Sequence, residues 1–388
     1  MPSRRPGCEP HPYRVNLSDP FLQPFNGTQR KVGATPTLSS ARAAALCKQP
    51  PAESSGHEIL ESVASCSAPS LQGTPVRLLV GVMSTPERKD RRDAARDTWA
   101  RKSSSSLVCF AVGRRGPAKW KVDSVDEEER AHNDIVWLRQ ARDGCSQFML
   151  VEKAFFWWRQ AWRLVEGSAV RHVAKIDDDS LLGVVSILSF LSAAHCHAHL
   201  LLGPIARAGF NPSAWDVHDF RRWEGAPGRH GPSLQCGFNP SSGKEARCSN
   251  LGYHPSVAFP LGALELLSVK LVQYVARDPS VFNMIKAYER HNVVVEDPLL
   301  GYWLKRSPFD VIYVNTKMRE LRCRGSGHHT GQRRPLSEVF VVHGLKAPEA
   351  QHVVWHGLEW GERPGDPVNQ TRETCARWSE SFCGCSVL

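Results

Sequence analysis

The sequence predicts an α/β fold, with a mixed, mostly parallel sheet flanked by helices. Between residues 76 and 342, apolar runs of strand length alternate with segments of helical period, and this alternation favours a parallel sheet with helices on both faces. Two of the apolar runs end in carboxylates, and the carboxyl ends of strands form the ligand-binding edge of open α/β sheets. With 388 residues, of which 41% are hydrophobic, the chain can bury a sizeable core.

Composition divides the chain into three segments. Residues 1–74 are rich in Pro, Ser, Ala and Gly with weak periodicity, which predicts a disordered, flexible N-terminal stem. Residues 75–360 carry the α/β pattern and are predicted to form the folded domain. Residues 361–388 form a Cys-rich C-terminal tail, and we find no internal repeats.

The first predicted elements lead from the stem to a run of three aspartates. Val76–Met83 is a buried-strand pattern, and Ser84–Glu87 is a helix start with proline in the first turn. An apolar stripe at helical spacing marks the long helix that precedes the aspartates. In order, the further predictions are a helix at Arg91–Trp99, strands at Leu107–Val112 and Asp134–Leu138, a helix at Gln147–Glu166 and a strand at His172–Ile176.

The second half begins with a long, loop-like stretch. Ala206–Leu251 is rich in Gly, Pro and Ser with repeated Trp, Arg and His, and a loop of this length inside a domain is usually functional or mobile. The elements predicted after it are a helix at Gly262–Val275, a strand at Val293–Val295, a helix at Pro298–Lys305, and strands at Val311–Val314 and Val339–Val342.

The formal net charge of +10 is compatible with a diphosphate ligand. A nucleic-acid partner is not expected, because no helical stretch stacks its Lys and Arg on one face with interleaved aromatics. The basic residues are instead scattered along the chain in short clusters such as Arg88–Arg92.

Twelve cysteines and three N-glycosylation sequons, at Asn16, Asn26 and Asn369, indicate an oxidising compartment. Cys236 and Cys248 bracket a loop and are interpreted as a disulfide. Cys375, Cys383 and Cys385 lack a Cys-x-x-Cys pair, so disulfides are favoured over zinc. No apolar run has the length of a membrane span, and no signal-peptide core opens the chain. Either an N-terminal anchor is absent from the sequence or the compartment is a different one, and we favour the absent anchor.

Three adjacent carboxylates, Asp177, Asp178 and Asp179, follow the strand His172–Ile176. Side chains alternate along a strand, so Asp177 and Asp179 can point to one side while Asp178 points away. Two carboxylates on one side can hold Mn²⁺ or Mg²⁺ and leave positions for further oxygen ligands. The alternative is a solvated turn that caps a helix beginning near Leu181.

A second acidic pair and a histidine also stand at predicted strand ends. Glu296 and Asp297 follow Val293–Val295 and could supply a general base near a metal. Alternatively, Asp297 is an N-cap before Pro298. His343 ends the strand Val339–Val342, and its imidazole could complete a metal site begun by two carboxylates. Because the chain contains sixteen histidines, the position of one of them is only weak support for a metal site.

Arg92 and Arg96 lie four residues apart on the first predicted helix. Guanidinium groups suit phosphate oxygens, so both are candidates for an anionic ligand. The alternative is a solvated helix face, on which Asp93 pairs with Lys89 and with Arg96.

Taken in order, these segments resemble the β-1,3-glycosyltransferases of the galactosyltransferase family (glycosyltransferase family thirty-one). The likeness runs from about Val76 to Trp360. The Lys175–Asp179 and Glu296–Asp297 segments look most like those of the UDP-Gal or UDP-GlcNAc-dependent enzymes of trypanosomatid parasites. The segments similar to family motifs are Arg92–Trp99, Cys109–Gly113, Asn133–Trp158 with Lys153 on its helix, Lys175–Asp179, Glu296–Asp297 with Gly301, and Val342–His343.

The resemblance implies a GT-A (Rossmann-like) fold and inverting, metal-dependent transfer of galactose or N-acetylglucosamine from a UDP-sugar. The acceptor would be a glycan hydroxyl, the linkage β-1,3, and the setting glycoprotein or glycolipid synthesis. It also implies a type II membrane protein on the lumenal face of the Golgi apparatus.

The same resemblance assigns roles to individual residues. Asp297 would be the catalytic base. Independently of the resemblance, the Trp- and His-bearing loop from Trp215 to Cys236 is our candidate acceptor lid. The predicted ligands of Mn²⁺ (or Mg²⁺) are Asp177, Asp179 and His343, and the predicted donor-binding residues are Arg92, Arg96, Lys153, Asp177 and Asp178.

Two other functions are compatible with the sequence. Pro298 and the segment Phe259–Ala263 depart from the family pattern and favour a catalytically inactive GT-A protein that binds glycan or a partner enzyme. A metal-dependent phosphodiesterase could use the same carboxylates, but such enzymes commonly need two metals about 3.5–4 Å apart. That would require more clustered His and Asp than the sequence offers.

Overall fold

The computed structural model describes most of the predicted domain and parts of the segment before it. The described residues are 37–45, 47, 66–67, 71, 74–100, 105–115, 119–143, 148–208, 237–239, 244–246, 257–291, 296–316, 318–320 and 340–359.

Strands and helices alternate through the first part of the chain. The elements up to the triple aspartate are β1 (Thr37–Ser39), α1 (Ser40–Ala45), β2 (Leu78–Met83), a 3₁₀ turn (Pro86–Arg88), α2 (Lys89–Asp97), β3 (Ser106–Arg115), α3 (Lys119–His132), β4 (Ile135–Arg142), α4 (Phe148–Val165) and β5 (His172–Asp177).

The described residues of the second part add short strands and further helices. Its elements are β6 (Ser180–Leu182), α5 (Val184–Ala193), β7 (Leu200–Gly203), β8 (Ile205–Ala208), β9 (Gly237–Asn239), β10 (Lys244–Ala246), β11 (Val257–Pro260), β12 (Glu265–Ser268), α6 (Val269–Arg277), α7 (Pro279–His291), α8 (Glu296–Lys305), β13 (Ile312–Asn315), β14 (Met318–Glu320), β15 (Val341–His343) and α9 (Pro348–Glu359).

The central sheet has eight strands in the order β1-β13-β7-β12-β5-β2-β3-β4. Neighbouring strands pair in parallel except at β12, which runs antiparallel to both β5 and β7. The predicted mixed, mostly parallel sheet flanked by helices is therefore confirmed. Small antiparallel pairs, β8 with β11 and β9 with β10, and a three-stranded sheet, β14-β15-β6, lie beside it.

Each face of the central sheet packs against its own set of helices. Leu79 and its equivalents on neighbouring strands pack with Trp157 of α4 and Trp303 of α8. Val80 points to the opposite face and packs with Ala95 of α2 and the helices α5 and α9. Successive side chains of a strand point to opposite faces, so the continuous apolar runs predicted from the sequence are those of strands buried on both sides.

Parts of the predicted stem pack against the folded domain. β1 pairs in parallel with β13, Thr37 lying opposite Tyr313, and Leu71 is fully buried. Disulfides join Cys47 to Cys196 and Cys66 to Cys109 of β3. Strand pairing and covalent bonds hold these described residues to the folded domain, and the flexible stem expected over residues 1–74 stays a prediction. The domain boundary at residue 75 stays a prediction.

Two predicted helices differ from the structure. Residues 265–268 of the predicted helix Gly262–Val275 form strand β12, and the helix begins at Val269. A short apolar run is compatible with either a strand or a helix. Here the run lies between β5 and β7 in the sheet, and it adopts the strand conformation. The helix expected near Leu181 begins at Val184, because Ser180–Leu182 pairs with β15 as strand β6.

Several predicted features lie outside the described residues. They are the three sequons, the Cys236–Cys248 bridge, the strand Val293–Val295, the acceptor lid from Trp215 to Cys236 and the C-terminal tail 361–388. Among the residues that are described, no helix combines the length and apolar character needed to cross a bilayer.

Candidate active site

The triple aspartate stands where the central strand β5 ends. Asp177 is the last residue of β5 and pairs with Met83, the last residue of the parallel neighbour β2. Asp178 turns away from the sheet edge: Arg91 Nη1 donates to its Oδ1 at 2.6 Å, and the Ser84 hydroxyl lies 3.4 Å from its Oδ2. Burial raises the pKa of Asp178, against the opposing effect of Arg91. Asp178 therefore anchors the strand end to the segment after β2.

Asp177, Asp179 and His343 converge, as the sequence predicted. β15 pairs antiparallel with β6 in a register that sets His343 opposite Ser180. His343 Nε2 lies 3.3 Å from Asp179 Oδ1 and 3.7 Å from Asp177 Oδ2. Burial lowers the pKa of His343, but the two carboxylates outweigh it and raise that pKa to about 10.

The donor set of these three residues fits Mn²⁺ or Mg²⁺. One potential ligand atom from each lies within 4.8 Å of the others. Two carboxylates and an imidazole suit Mn²⁺ in particular, since carboxylate oxygens are preferred by Mg²⁺ and Mn²⁺ while imidazole suits transition metals. The side chain of Asp177 is 38% exposed, so solvent or a ligand can reach the cluster. Asp177, Asp179 and His343 would hold the metal.

Lys346 is a fourth charged group at this cluster, which the sequence reasoning did not identify. Its ammonium donates a hydrogen bond to Asp179 Oδ2. Burial raises the pKa of Asp179, but hydrogen bonds and charges from His343 and Lys346 hold it well below its usual range. The only sequence signal for Lys346 is its place three residues after His343.

Asp297 faces the same cluster from helix α8. It lies in the first turn of the helix, and its Oδ2 accepts a hydrogen bond from the Gly262 amide at 3.0 Å. A Cβ on Gly262 would lie 3.1 Å from Asp297 Oδ1 and 3.3 Å from Asp177 Oδ2, so both carboxylates border this glycine. Burial raises the pKa of Asp297. The N-cap alternative is not what the structure shows, because Asp297 is inside the helix.

Behind Asp297 lies a buried ionic cluster formed by Lys175, Glu265 and Glu296. Lys175 Nζ lies 2.5 Å from Glu296 Oε1, 3.6 Å from Glu265 Oε1 and 3.9 Å from Asp177 Oδ1. Because β12 is antiparallel to β5, its first residue, Glu265, pairs with Lys175 at the ligand edge of the sheet.

The cluster shifts the pKa of each of its members. Burial raises the pKa of Glu265 well above its usual range and that of Glu296 to about 7. Burial lowers the pKa of Lys175, but the surrounding carboxylates raise it overall. Lys175 has no predicted role in the sequence analysis, although a charged residue inside the apolar strand His172–Ile176 is a usable signal.

Arg92 and Arg96 are not placed beside the metal candidates. Arg92 is fully buried and forms a two-point contact with Glu128, at 2.8 and 2.6 Å. Arg96 binds Asp134 through two hydrogen bonds of 2.8 Å and also contacts Glu128 at 2.7 Å.

Arg92 donates to the Ser84 hydroxyl at 3.0 Å, and that hydroxyl lies 3.4 Å from Asp178 Oδ2. The expected Asp93 pairs with Lys89 and Arg96 are present, and the Lys89 and Asp93 side chains are exposed, but the Arg92 and Arg96 guanidinium groups are turned into protein contacts. Donor contact by Arg92 and Arg96 stays a prediction.

Lys153 supports the strand end next to the site. From helix α4 its ammonium donates to the Ser84 carbonyl and, at 2.6 Å, to Asp143 Oδ1. The other oxygen of Asp143 accepts from the Gly113 amide at 2.6 Å. Burial raises the pKa of Asp143 despite the neighbouring Lys153. Lys153 thus fixes the segment after β2, and its contact with a donor stays a prediction.

Comparison with known families decides what kind of protein carries this site. A family model described as galactosyltransferase matches residues 90–313, which is more than half of the chain. The chain belongs to the galactosyltransferase family. The match includes the triple aspartate and Asp297, while His343 and Lys346 lie beyond its end.

Solved glycosyltransferase structures are similar to this galactosyltransferase-family chain at low identity. The galactosyltransferase LgtC, in complex with donor and acceptor sugar analogs, matches at 13% identity and a TM-score of 0.35, with 77% of this chain and 99% of that chain covered. The mannosyltransferase PcManGT from Pyrobaculum calidifontis, in complex with GDP-Man and Mn²⁺, matches at 13% identity and a TM-score of 0.31, covering 88% and 75%. The mannosyltransferase Ktr4p from S. cerevisiae, in complex with GDP, matches at 7% and 0.30, covering 71% and 76%. The assignment rests on the family match.

Proposed function

We propose that the protein transfers galactose or N-acetylglucosamine from a UDP-sugar to a glycan hydroxyl, with a bound metal and with inversion at the anomeric carbon. The family match supports sugar transfer. The observation that carries the proposal is the convergence of Asp177, Asp179 and His343 within 4.8 Å, with Asp297 across Gly262 from Asp177. A metal-ligand set and the partly buried carboxylate of Asp297 therefore border one place on the sheet edge.

A metal bound there would supply positive charge to offset the diphosphate of the leaving group. Asp177, Asp179 and His343 would hold that metal in place, since β5 and the β6–β15 pair fix their backbones. Asp178, Arg91, Ser84 and Lys153 hold the neighbouring segment in place. Their contacts support binding of the donor next to the end of β2.

Asp297 is our candidate for the general base. A base must lie within reach of the acceptor hydroxyl and hold a pKa suited to accepting its proton. Burial raises the pKa of Asp297, and the Gly262 amide fixes the orientation of its carboxylate. Asp297 takes the proton of the acceptor hydroxyl as that oxygen attacks the anomeric carbon. A single displacement of this kind inverts the configuration there.

The second acidic group argues against a two-metal phosphodiesterase. Glu265, Glu296 and Asp297 also bring carboxyl oxygens within 4.8 Å of one another. However, the Lys175 ammonium lies 2.5 Å from Glu296 and 3.6 Å from Glu265. A cation of the chain itself therefore stands where a second metal would have to bind.

The disulfides Cys47–Cys196 and Cys66–Cys109 support a lumenal location in the secretory pathway, since such bonds persist in oxidising compartments. We place the enzyme on the lumenal side of the Golgi apparatus, acting on glycoprotein or glycolipid glycans. A β-1,3 linkage belongs to the same proposal.

UDP release by the purified full chain tests the proposal. The donors are UDP-Gal, UDP-GlcNAc and UDP-Glc, each with and without Mn²⁺, and Asp179→Ala is the matched variant. We expect Mn²⁺-dependent release with one donor and its loss in the variant. A folded protein that binds UDP but releases none from any donor would instead support the inactive, glycan-binding alternative.

Asp297→Asn tests the base separately. Because the amide keeps the shape of the side chain but cannot take a proton at neutral pH, transfer should fall about 10²- to 10⁴-fold, while UDP and Mn²⁺ affinities stay within about threefold of wild type. Near-normal turnover in this variant would remove Asp297 from the mechanism.

A further inference from the structure

The Lys346 ammonium binds one oxygen of the Asp179 carboxylate, which is also a proposed metal ligand. Its ammonium donates to Asp179 Oδ2, while His343 Nε2 lies 3.3 Å from Asp179 Oδ1. The Asp179 side chain is almost fully buried, whereas that of Lys346 is 35% exposed. A buried carboxylate thus has a lysine partner whose ammonium borders solvent.

The backbone that carries Lys346 is fixed to the aspartates. The Leu345 amide donates to the Asp179 carbonyl at 2.9 Å, and the Lys346 amide donates to the Gly344 carbonyl at 2.9 Å. Gly344 has a φ of 89°, a conformation that glycine adopts without steric cost. The chain therefore turns back on itself after His343. The part of Lys346 that can relocate is its four-carbon side chain with a compact ammonium group.

A divalent ion on Asp177, Asp179 and His343 would change the surroundings of this ammonium. The ion would compete with Lys346 for the charge of Asp179 and would repel the ammonium, because like charges a few ångströms apart repel. A nucleotide diphosphate bound to the same ion brings negative oxygens to the cluster. Lysine binds phosphate oxygens well as a point charge.

We propose that Lys346 neutralises Asp179 in the metal-free site and moves to the diphosphate when metal and nucleotide are both bound. This inference rests on the proposed function and deepens it by adding a ligand-binding residue. It also has a consequence for the order of loading. Lys346 disfavours the metal alone and favours metal and nucleotide together, so binding of the two is coupled.

Neutralising Lys346 separates the two effects. In Lys346→Met the side chain keeps its length and loses its charge. Without UDP, the variant should bind Mn²⁺ about threefold to tenfold more tightly than wild type; with saturating Mn²⁺, it should bind UDP about tenfold more weakly. Electron paramagnetic resonance of free Mn²⁺ measures the first affinity, and calorimetric titration measures the second.

Two further variants control for charge. Lys346→Arg keeps the positive charge and should bind Mn²⁺ without UDP as wild type does. Lys270→Met makes the same change in net charge at an exposed position of α6. That helix follows Ser268, which pairs with His172 at the opposite end of β5. It should leave both affinities unchanged.

The outcomes distinguish this inference from the proposed function. If wild-type protein binds Mn²⁺ neither alone nor with UDP present, the metal site of the proposed function fails and the inference fails with it. If wild type binds Mn²⁺ and UDP but Lys346→Met changes neither affinity, only the role of Lys346 is refuted. A change of both affinities in the same direction would also refute it, because the exchange requires opposite signs.

Discussion

At the scale of single residues, Lys175 connects the core to the candidate base. It is nearly fully buried at the centre of the sheet edge, with Glu296 at 2.5 Å and Glu265 at 3.6 Å. A buried ion pair loses much more stability when one partner is removed than when both become apolar. The cluster also joins β5 and β12 to the first turn of α8, where Asp297 lies.

We therefore expect Lys175→Met to destabilise the protein by about 3–5 kcal/mol, because it leaves two buried carboxylates without their cation. Urea unfolding followed by circular dichroism measures this loss. Adding Glu265→Leu to the variant should restore part of it. A loss of stability below about 1 kcal/mol would mean that the ion pairs of Lys175 contribute no more than solvent-exposed ones.

Gly262 is the second informative residue, because it separates Asp297 from Asp177. A methyl group there would sit 3.1 and 3.3 Å from their carboxylate oxygens, closer than ordinary van der Waals contact. Gly262→Ala should lower turnover about tenfold to a hundredfold by displacing these groups, with a change in stability of less than about 1 kcal/mol. Steady-state kinetics beside thermal unfolding checks this. Full activity would show that the two carboxylates need not keep their spacing.

At the scale of elements, the packing of β2 against α4 depends on a missing side chain. A Cβ at Gly81 would lie 2.2 Å from ring atoms of Trp157, which is fully buried. The tryptophan ring therefore lies directly over the backbone of the strand. This close approach sets the distance between the sheet and its longest described helix.

Gly81→Ala should destabilise the protein by about 1–3 kcal/mol or more through overpacking. Denaturant unfolding of Gly81→Ala, Trp157→Leu and the double variant completes a mutant cycle. The alanine should cost much less in the Trp157→Leu background, where the ring is gone. Additive losses in the cycle would contradict the proposed contact.

At the scale of the whole molecule, stability should depend on pH through Glu128. This carboxylate binds both Arg92 and Arg96. Burial raises its pKa, but the two arginines outweigh burial and leave the pKa below the ordinary value of 4.5. A lowered folded-state pKa contributes stability that is present above the unfolded pKa and is lost as pH falls through the folded pKa.

The stability difference between wild type and Glu128→Gln should therefore be largest at neutral pH and shrink below about pH 4.5. At neutral pH we expect a difference of about 3–5 kcal/mol, since the variant leaves Arg92 buried without its partner. Urea unfolding of both proteins across this range measures it. A difference that does not vary with pH would exclude ionisation of Glu128 as the cause.

The sequence by itself determined the alternating strands and helices, the mostly parallel sheet and the position of the triple aspartate after a buried strand. Continuous apolar runs predicted the strands that are buried on both faces, and the run His172–Ile176 correctly predicted a strand that ends at the aspartates. The alternation of side chains at the end of β5 was enough to predict that Asp178 points away from the side shared by Asp177 and Asp179. These features follow from local periodicity, which acts within a few residues and is written directly in the chain.

Only the tertiary structure decided which distant residues meet. The antiparallel insertion of β12 brought Glu265 to Lys175, the register of β15 on β6 brought His343 to Asp179, and the turn at Gly344 returned Lys346 to the same carboxylate. It also turned Arg92 into the core to pair with Glu128. Such contacts depend on strand order, register and burial, which are set by the packing of the whole domain, so local pattern could not specify them.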